Sequence, residues 1–171
     1  ELTLMPTGET YVCQGFGGGT NWYSTSYNPG TGLYYFQAME RCNLFSKRKE
    51  EWRAGAPYMG GTARNAPDED FVKSLRALDI RTGEIAWDLP HANKRNSSSG
   101  GVLSTASGLV FFGENSGHLV AVDATDGEVL WSYPTNHSWR ASPMAYAFDN
   151  RQYIAAAVGQ VIMAFALMGP E

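Results

Sequence analysis

A 44-residue repeat, a succession of short strands closed by glycine turns, and the lack of any helical period together predict an all-β chain. Its class is a partial β-propeller, about three four-stranded blades with tryptophan-docking repeats. Residues 77–87 read Ala-Leu-Asp-Ile-Arg-Thr-Gly-Glu-Ile-Ala-Trp, and residues 121–131 read Ala-Val-Asp-Ala-Thr-Asp-Gly-Glu-Val-Leu-Trp. Ala, Asp, Gly, Glu and Trp fall in register between the two copies, Ala77 against Ala121, and that spacing suits a four-stranded blade.

The turn chemistry explains the repeat. A strand ends at Asp79 or Asp123, whose carboxylate accepts N–H groups of the following turn. Gly83 or Gly127 supplies the positive φ the turn requires, and the next strand begins. Trp87 and Trp131 are large flat side chains suited to filling the seam between one blade and the next.

The remaining strands are placed around these copies. Segments 21–27 and 33–39 form a hairpin over the Asn28-Pro29-Gly30-Thr31-Gly32 turn, and segments 101–105 and 109–113 form another over Ala106-Ser107-Gly108. Segment 118–123 precedes the second tryptophan repeat. Segments 142–148, 152–158 and 161–167 supply three more strands, with Asp149-Asn150-Arg151 as a turn. Grouping by fours places blades at about 20–90, 97–134 and 139–167, with 46–70, polar and rich in glycine and proline, as an insertion loop. The last blade lacks a fourth strand. In many propellers the far N-terminus supplies it, and residues 1–19 hold nothing suited to that role. Residues 1–171 therefore read as the C-terminal fragment of a larger ring, expected to expose apolar edges and to be inactive alone.

Composition narrows the function classes. Hydrophobic residues make up 43% and charged residues 18%, as in a chain with a packed core. A formal net charge of −4 with no basic stripe argues against a nucleic-acid partner. No apolar run reaches the roughly 18–20 residues that span a bilayer. The mixed run 47–51 reads as a solvated loop. Gly15-Phe16-Gly17-Gly18-Gly19 precedes a strand rather than a helix, which argues against a phosphate-binding loop. Residues 123–128 lack the alternating ligands of a calcium loop and read as the docking turn, and His91, His118 and His137 are scattered, so no metal ligand is assigned.

Three segments carry a more specific resemblance. They are Gly18-Gly19-Thr20-Asn21-Trp22 with 28–35 after it, Gly100-Gly101-Val102-Leu103-Ser104-Thr105-Ala106 leading into 108–113, and Ser138-Trp139-Arg140-Ala141-Ser142-Pro143-Met144 leading into Arg151-Gln152-Tyr153. In these the sequence resembles the C-terminal end of the pyrroloquinoline quinone (PQQ)-dependent alcohol dehydrogenases, eight-bladed periplasmic propellers. The resemblance implies oxidation of an alcohol or polyol, with hydride passing to the quinone. It also implies a calcium or lanthanide ion and an aspartate base, both supplied by earlier blades, so no catalytic residue is assigned here. The implied electron acceptor is a cytochrome c or a quinone, the location is the periplasm, and the remaining blades are partners.

By the same resemblance, Asn21 and Trp22 are the candidate cofactor contacts. An amide can hydrogen-bond the oxygens of a flat tricarboxylated quinone, and an indole offers an N–H and an apolar face. Read from the residues alone, Asn21 caps a turn and Trp22 fills the core. The family often carries a disulfide near Cys13 and Cys42, which flank the first hairpin and would meet as it folds back; two buried thiols are the other reading. The sequence departs from many relatives at Ser99, where they carry Trp, and at Gly159-Gln160-Val161, where they carry Gly-Trp-Gly. Trp139 could substitute locally, or serve the core. A rival function class is a non-catalytic propeller scaffold for protein binding or outer-membrane assembly, which shares the docking repeat.

Overall fold

The computed structural model describes residues 8–66, 71–92 and 100–166, which hold fourteen strands and no helix. Ser99, residues 67–70 of the expected insertion, and the last residue of the 161–167 segment lie outside the described residues. The chain forms two compact units, Glu1–Asn21 with Met39–Val72, and Trp22–Ala38 with Lys73–Glu171.

The second unit holds the blades. Its first sheet runs in the order β2 (Ser26–Asn28), β3 (Leu33–Glu40), β6 (Val72–Asp79) and β7 (Ile85–Pro90). The second comprises β8 (Val102–Ser104), β9 (Leu109–Gly113), β10 (His118–Asp123) and β11 (Val129–Pro134), with sequence neighbours paired antiparallel throughout. The third has only three strands, β12 (Met144–Phe148), β13 (Arg151–Val158) and β14 (Val161–Ala166). The strand expected from residue 21 begins at Ser26 instead. Residues 21–25 approach β2 outside any strand, because β2 finds only three partners on β3, from Ser26↔Tyr35 to Asn28↔Leu33.

The two tryptophan copies share one geometry. Both outer strand pairs carry a register shift at the same place, between Ala77 and Leu78 and between Ala121 and Val122. Trp87 then packs against the docking turn of the second sheet. A Cβ on Gly127 would come within 2.7 Å of its ring, so glycine there serves close approach as well as its φ of 78°. Leu33, Tyr35, Leu75, Ala77, Val110, Phe112, Val120 and Val122 fill the seam around it. Burial of this apolar surface, at about 25 cal/mol per Å², supplies most of the force that joins the two sheets. A second seam gathers Leu119, Trp139, Ala156 and Val158 against Phe111 and Phe165. Trp139 is fully buried there and pairs with Val158.

On the inner edge, Ser26 and Ser104 hydroxyls meet at 2.6 Å, and Asn28 Nδ2 donates to the Thr105 carbonyl at 3.0 Å. A Cβ on Gly101 would lie about 2 Å from the hydroxyls of both Ser24 and Ser142 (2.0 and 2.1 Å), so three chain segments converge where only glycine fits.

The first unit is a small antiparallel sheet in the order β1 (Thr10–Cys13), β4 (Cys42–Lys47) and β5 (Gly61–Asn65). The expected insertion loop thus carries β5 and the end of β4. Cys13 and Cys42 are direct cross-strand partners and are disulfide-bonded, which closes the alternative left open by the sequence. Between β4 and β5, the Glu50 carboxylate accepts the N–H groups of Met59 and Gly60 and pairs with Arg48, which shapes the exposed loop.

Candidate functional site

Each predicted cofactor contact stands in a defined setting. Asn21 closes the glycine-rich loop of the first unit: its Nδ2 donates to the Gly17 carbonyl at 3.1 Å, and the loop is tied by Gly18 N–H to Gly15 O and by Met39 N–H to Gly19 O. Trp22, in the second unit, is 71% exposed, so it does not fill the core of this chain. Its indole packs on the Tyr23 ring with centroids 5.0 Å apart and planes inclined by 58°.

Behind Tyr23 lies a buried ionisable cluster that the sequence reading missed. Lys73, the second residue of β6, is 2% exposed, and its Nζ reaches Asn115 Oδ1 at 3.3 Å and lies 5.6 Å from the Tyr23 ring centre. Glu114, in the turn between β9 and β10, accepts the N–H groups of Ala92 at 2.8 Å and Ser116 at 2.6 Å, and the Ser116 hydroxyl. Those bonds hold its carboxyl below the usual carboxylate range despite burial. His91, 3% exposed, follows β7. Its Nδ1 accepts the Asn115 backbone N–H at 3.0 Å, which makes it the neutral tautomer carrying its proton on Nε2.

The electrostatics are set by desolvation. Burial pushes the Lys73 ammonium down to a pKa of about 8, and the Glu114 charge restores only part of that loss. Burial and the neighbouring Lys73 charge lower His91 to about 4, against the opposing pull of Glu114. The 3.5 Å approach of His91 Nδ1 to Glu114 Oε1 is accordingly no ion pair at neutral pH. His91 Nε2 has no hydrogen-bond partner among the described residues.

One signal could have revealed this cluster. Carried through the same 44-residue offset, Lys73 aligns with Gly117 and His91 with Thr135, so two ionisable residues stand where the second copy has none. No group of three or more His, Cys, Asp or Glu suited to a metal occurs among the described residues. Gly159-Gln160-Val161 forms the turn from β13 into β14, where Gly159 has a φ of 60°.

Residues 88–154 match the family model described as the glucose/ethanol/alcohol dehydrogenase β-propeller domain, PQQ type. The chain is 35% identical over 145 residues to a quinoprotein ethanol dehydrogenase of Pseudomonas putida, covering 84% of this chain and 23% of that protein. Among solved structures it superposes on the quinohemoprotein alcohol dehydrogenase of Comamonas testosteroni with a TM-score of 0.80 and 31% identity, over 90% of this chain and 24% of that one. A europium-containing methanol dehydrogenase follows with a TM-score of 0.74 and 26% identity, over 87% and 26%. The chain thus spans about a quarter of the length of the relatives it matches.

Proposed function

We propose that this chain, a stretch of the β-propeller of a quinoprotein alcohol dehydrogenase, contributes part of the PQQ pocket of an enzyme that oxidises a small alcohol or polyol. The observation that carries the reading is the exposed face of Trp22, in a chain that superposes on such dehydrogenases over 90% of its length.

These residues fit a planar, carboxylated quinone. An indole that is 71% exposed offers an apolar face for ring contact, and it is not consumed by core packing. The Asn21 amide is oriented by Gly17, so its hydrogen-bonding groups are fixed before any ligand arrives. When bound, PQQ supplies the hydride-accepting chemistry; the chain's part is to bind and orient it. A calcium or lanthanide ion, the base, and the remaining blades would come from outside this stretch. The periplasm as location, and a cytochrome c or a quinone as electron acceptor, complete the proposal.

The test uses the complete protein in which this stretch occurs. Asn21→Ala with Trp22→Ala is expected to lower the PQQ that remains bound after gel filtration. Undiminished PQQ content in the double variant would remove both residues from the pocket.

A further inference from the structure

Lys73 and His91 stand where the second repeat has Gly117 and Thr135. The backbone bond is the same in both copies: His91 N–H donates to the Lys73 carbonyl at 2.8 Å, and Thr135 N–H to the Gly117 carbonyl at 2.9 Å. A glycine and a threonine therefore satisfy the blade at these positions, and strand pairing does not call for two ionisable side chains. Burying an ammonium is unfavourable unless its partners compensate fully, and desolvation here outweighs the attraction of Glu114. A buried charge that the fold can do without points to a functional placement.

The contacts show what it could place. Residues 21–25 lie outside any strand, so a ladder does not set the orientation of the Trp22 and Tyr23 rings. The Lys73 ammonium is held on Asn115 Oδ1 and lies against the Tyr23 ring, which packs on Trp22. Asn115 is itself fixed by its N–H bond to His91, and Glu114 by the Ala92 and Ser116 N–H groups. Each link of the chain from β9–β10 turn to indole is thus a directional contact.

We propose that Lys73 is a positioning residue for the aromatic pair Trp22 and Tyr23: its buried ammonium, anchored on Asn115 and charge-matched by Glu114, holds the Tyr23 ring by a cation–π contact and so sets the angle at which Trp22 offers its indole to a planar anionic ligand. The ligand half of this statement rests on Trp22 being a cofactor contact; the positioning half does not.

The experiment separates the two. In the complete protein, freed of cofactor, Trp22 emission is isolated as the difference between wild type and Trp22→Phe, and its acrylamide quenching is measured in Lys73→Met, Lys73→Arg and Tyr23→Leu backgrounds. Lys73→Met and Tyr23→Leu are expected to shift the Trp22 signal, and Lys73→Arg, which keeps the cation, to retain it. PQQ titrated into the same proteins is expected to bind about tenfold more weakly to the first two variants. A Trp22 signal identical to wild type in Lys73→Met and Tyr23→Leu overturns the positioning role, whatever the protein binds. A shifted signal in a protein whose wild type takes up no PQQ upholds the positioning role and removes the cofactor reading. Should Lys73→Met not fold, Tyr23→Leu carries the same comparison, since Tyr23 lies in the approach to β2 rather than in a strand.

Discussion

The indole N–H of Trp87 donates to the carbonyl of Ala124 at 3.2 Å, and the Tyr35 hydroxyl donates to the same carbonyl at 2.9 Å. Two aromatic residues of the first sheet thereby share one acceptor in the docking turn of the second. Trp87 is 9% exposed, whereas its repeat partner Trp131 is 39% exposed beside the three-stranded sheet, its ring 5.5 Å from that of Phe165.

Trp87→Ala in the complete protein should therefore destabilise by about 3–5 kcal/mol, through lost burial and the cavity left against Gly127. Trp87→Phe keeps the ring and loses the bond to Ala124, and should cost only about 1 kcal/mol. Denaturant midpoints of the two variants check the order; equal losses would mean that the ring kept in Trp87→Phe contributes nothing to the seam.

The Cys13–Cys42 bond closes a loop with a sequence separation of 29 in a sheet that has few buried residues. In the chain-entropy account such a closure stabilises by roughly 3–4 kcal/mol. Cys13→Ser with Cys42→Ser should expose the β1–β4–β5 sheet to limited proteolysis before the blades are cut. Proteolysis that starts in the blades would argue against this.

Lys73 makes alkaline stability informative. Its folded pKa of about 8 lies below the unfolded value near 10.5, so the unfolded chain binds the proton more tightly between those pH values. Stability from this group is present above pH 10.5 and lost as pH falls through 8. Lys73→Met should remove that dependence and stabilise the fold at pH 7, by at most about 3 kcal/mol. The wild-type-minus-variant difference in unfolding free energy, measured from pH 7 to 10.5, reads it; a difference that does not change with pH would contradict the assignment.

His91 gives the acidic counterpart. Its folded pKa of about 4 lies below the unfolded 6.5, so its contribution is complete above pH 6.5 and is lost as pH falls towards 4. His91→Thr, the residue at the equivalent position of the second copy, should flatten the loss of stability between pH 6.5 and 4. Thermal melts across that range compare the two proteins, and parallel curves would show that His91 has the same pKa in the folded and unfolded chain, against the assignment.

Much of this architecture was legible in the residues. The repeat located Trp87, Trp131 and both glycine turns, because a positive φ and a close ring contact admit few residue types. Alternating apolar strands gave the hairpins, and the family resemblance gave the cysteine pair. Less legible was the site. Trp22 could be a core residue or an exposed face on composition alone, since an indole suits both. The segment 46–70 looked like a loop because β5 is exposed along most of its length and so lacks an apolar alternation to announce it.

Local chemistry by itself determined the strand-and-turn grammar of the blades, because bond geometry at glycine and the alternation of strand faces act over a few residues. Only tertiary packing decided the fate of Lys73, His91 and Trp22. Lysine and histidine carry no sequence mark of burial; they are enclosed here because the β9–β10 turn, some forty residues along the chain from Lys73, closes over them with Glu114 and Asn115. Trp22 likewise carries no sequence mark of its exposure: it precedes β2 outside any strand, and its indole meets the Tyr23 ring rather than a core.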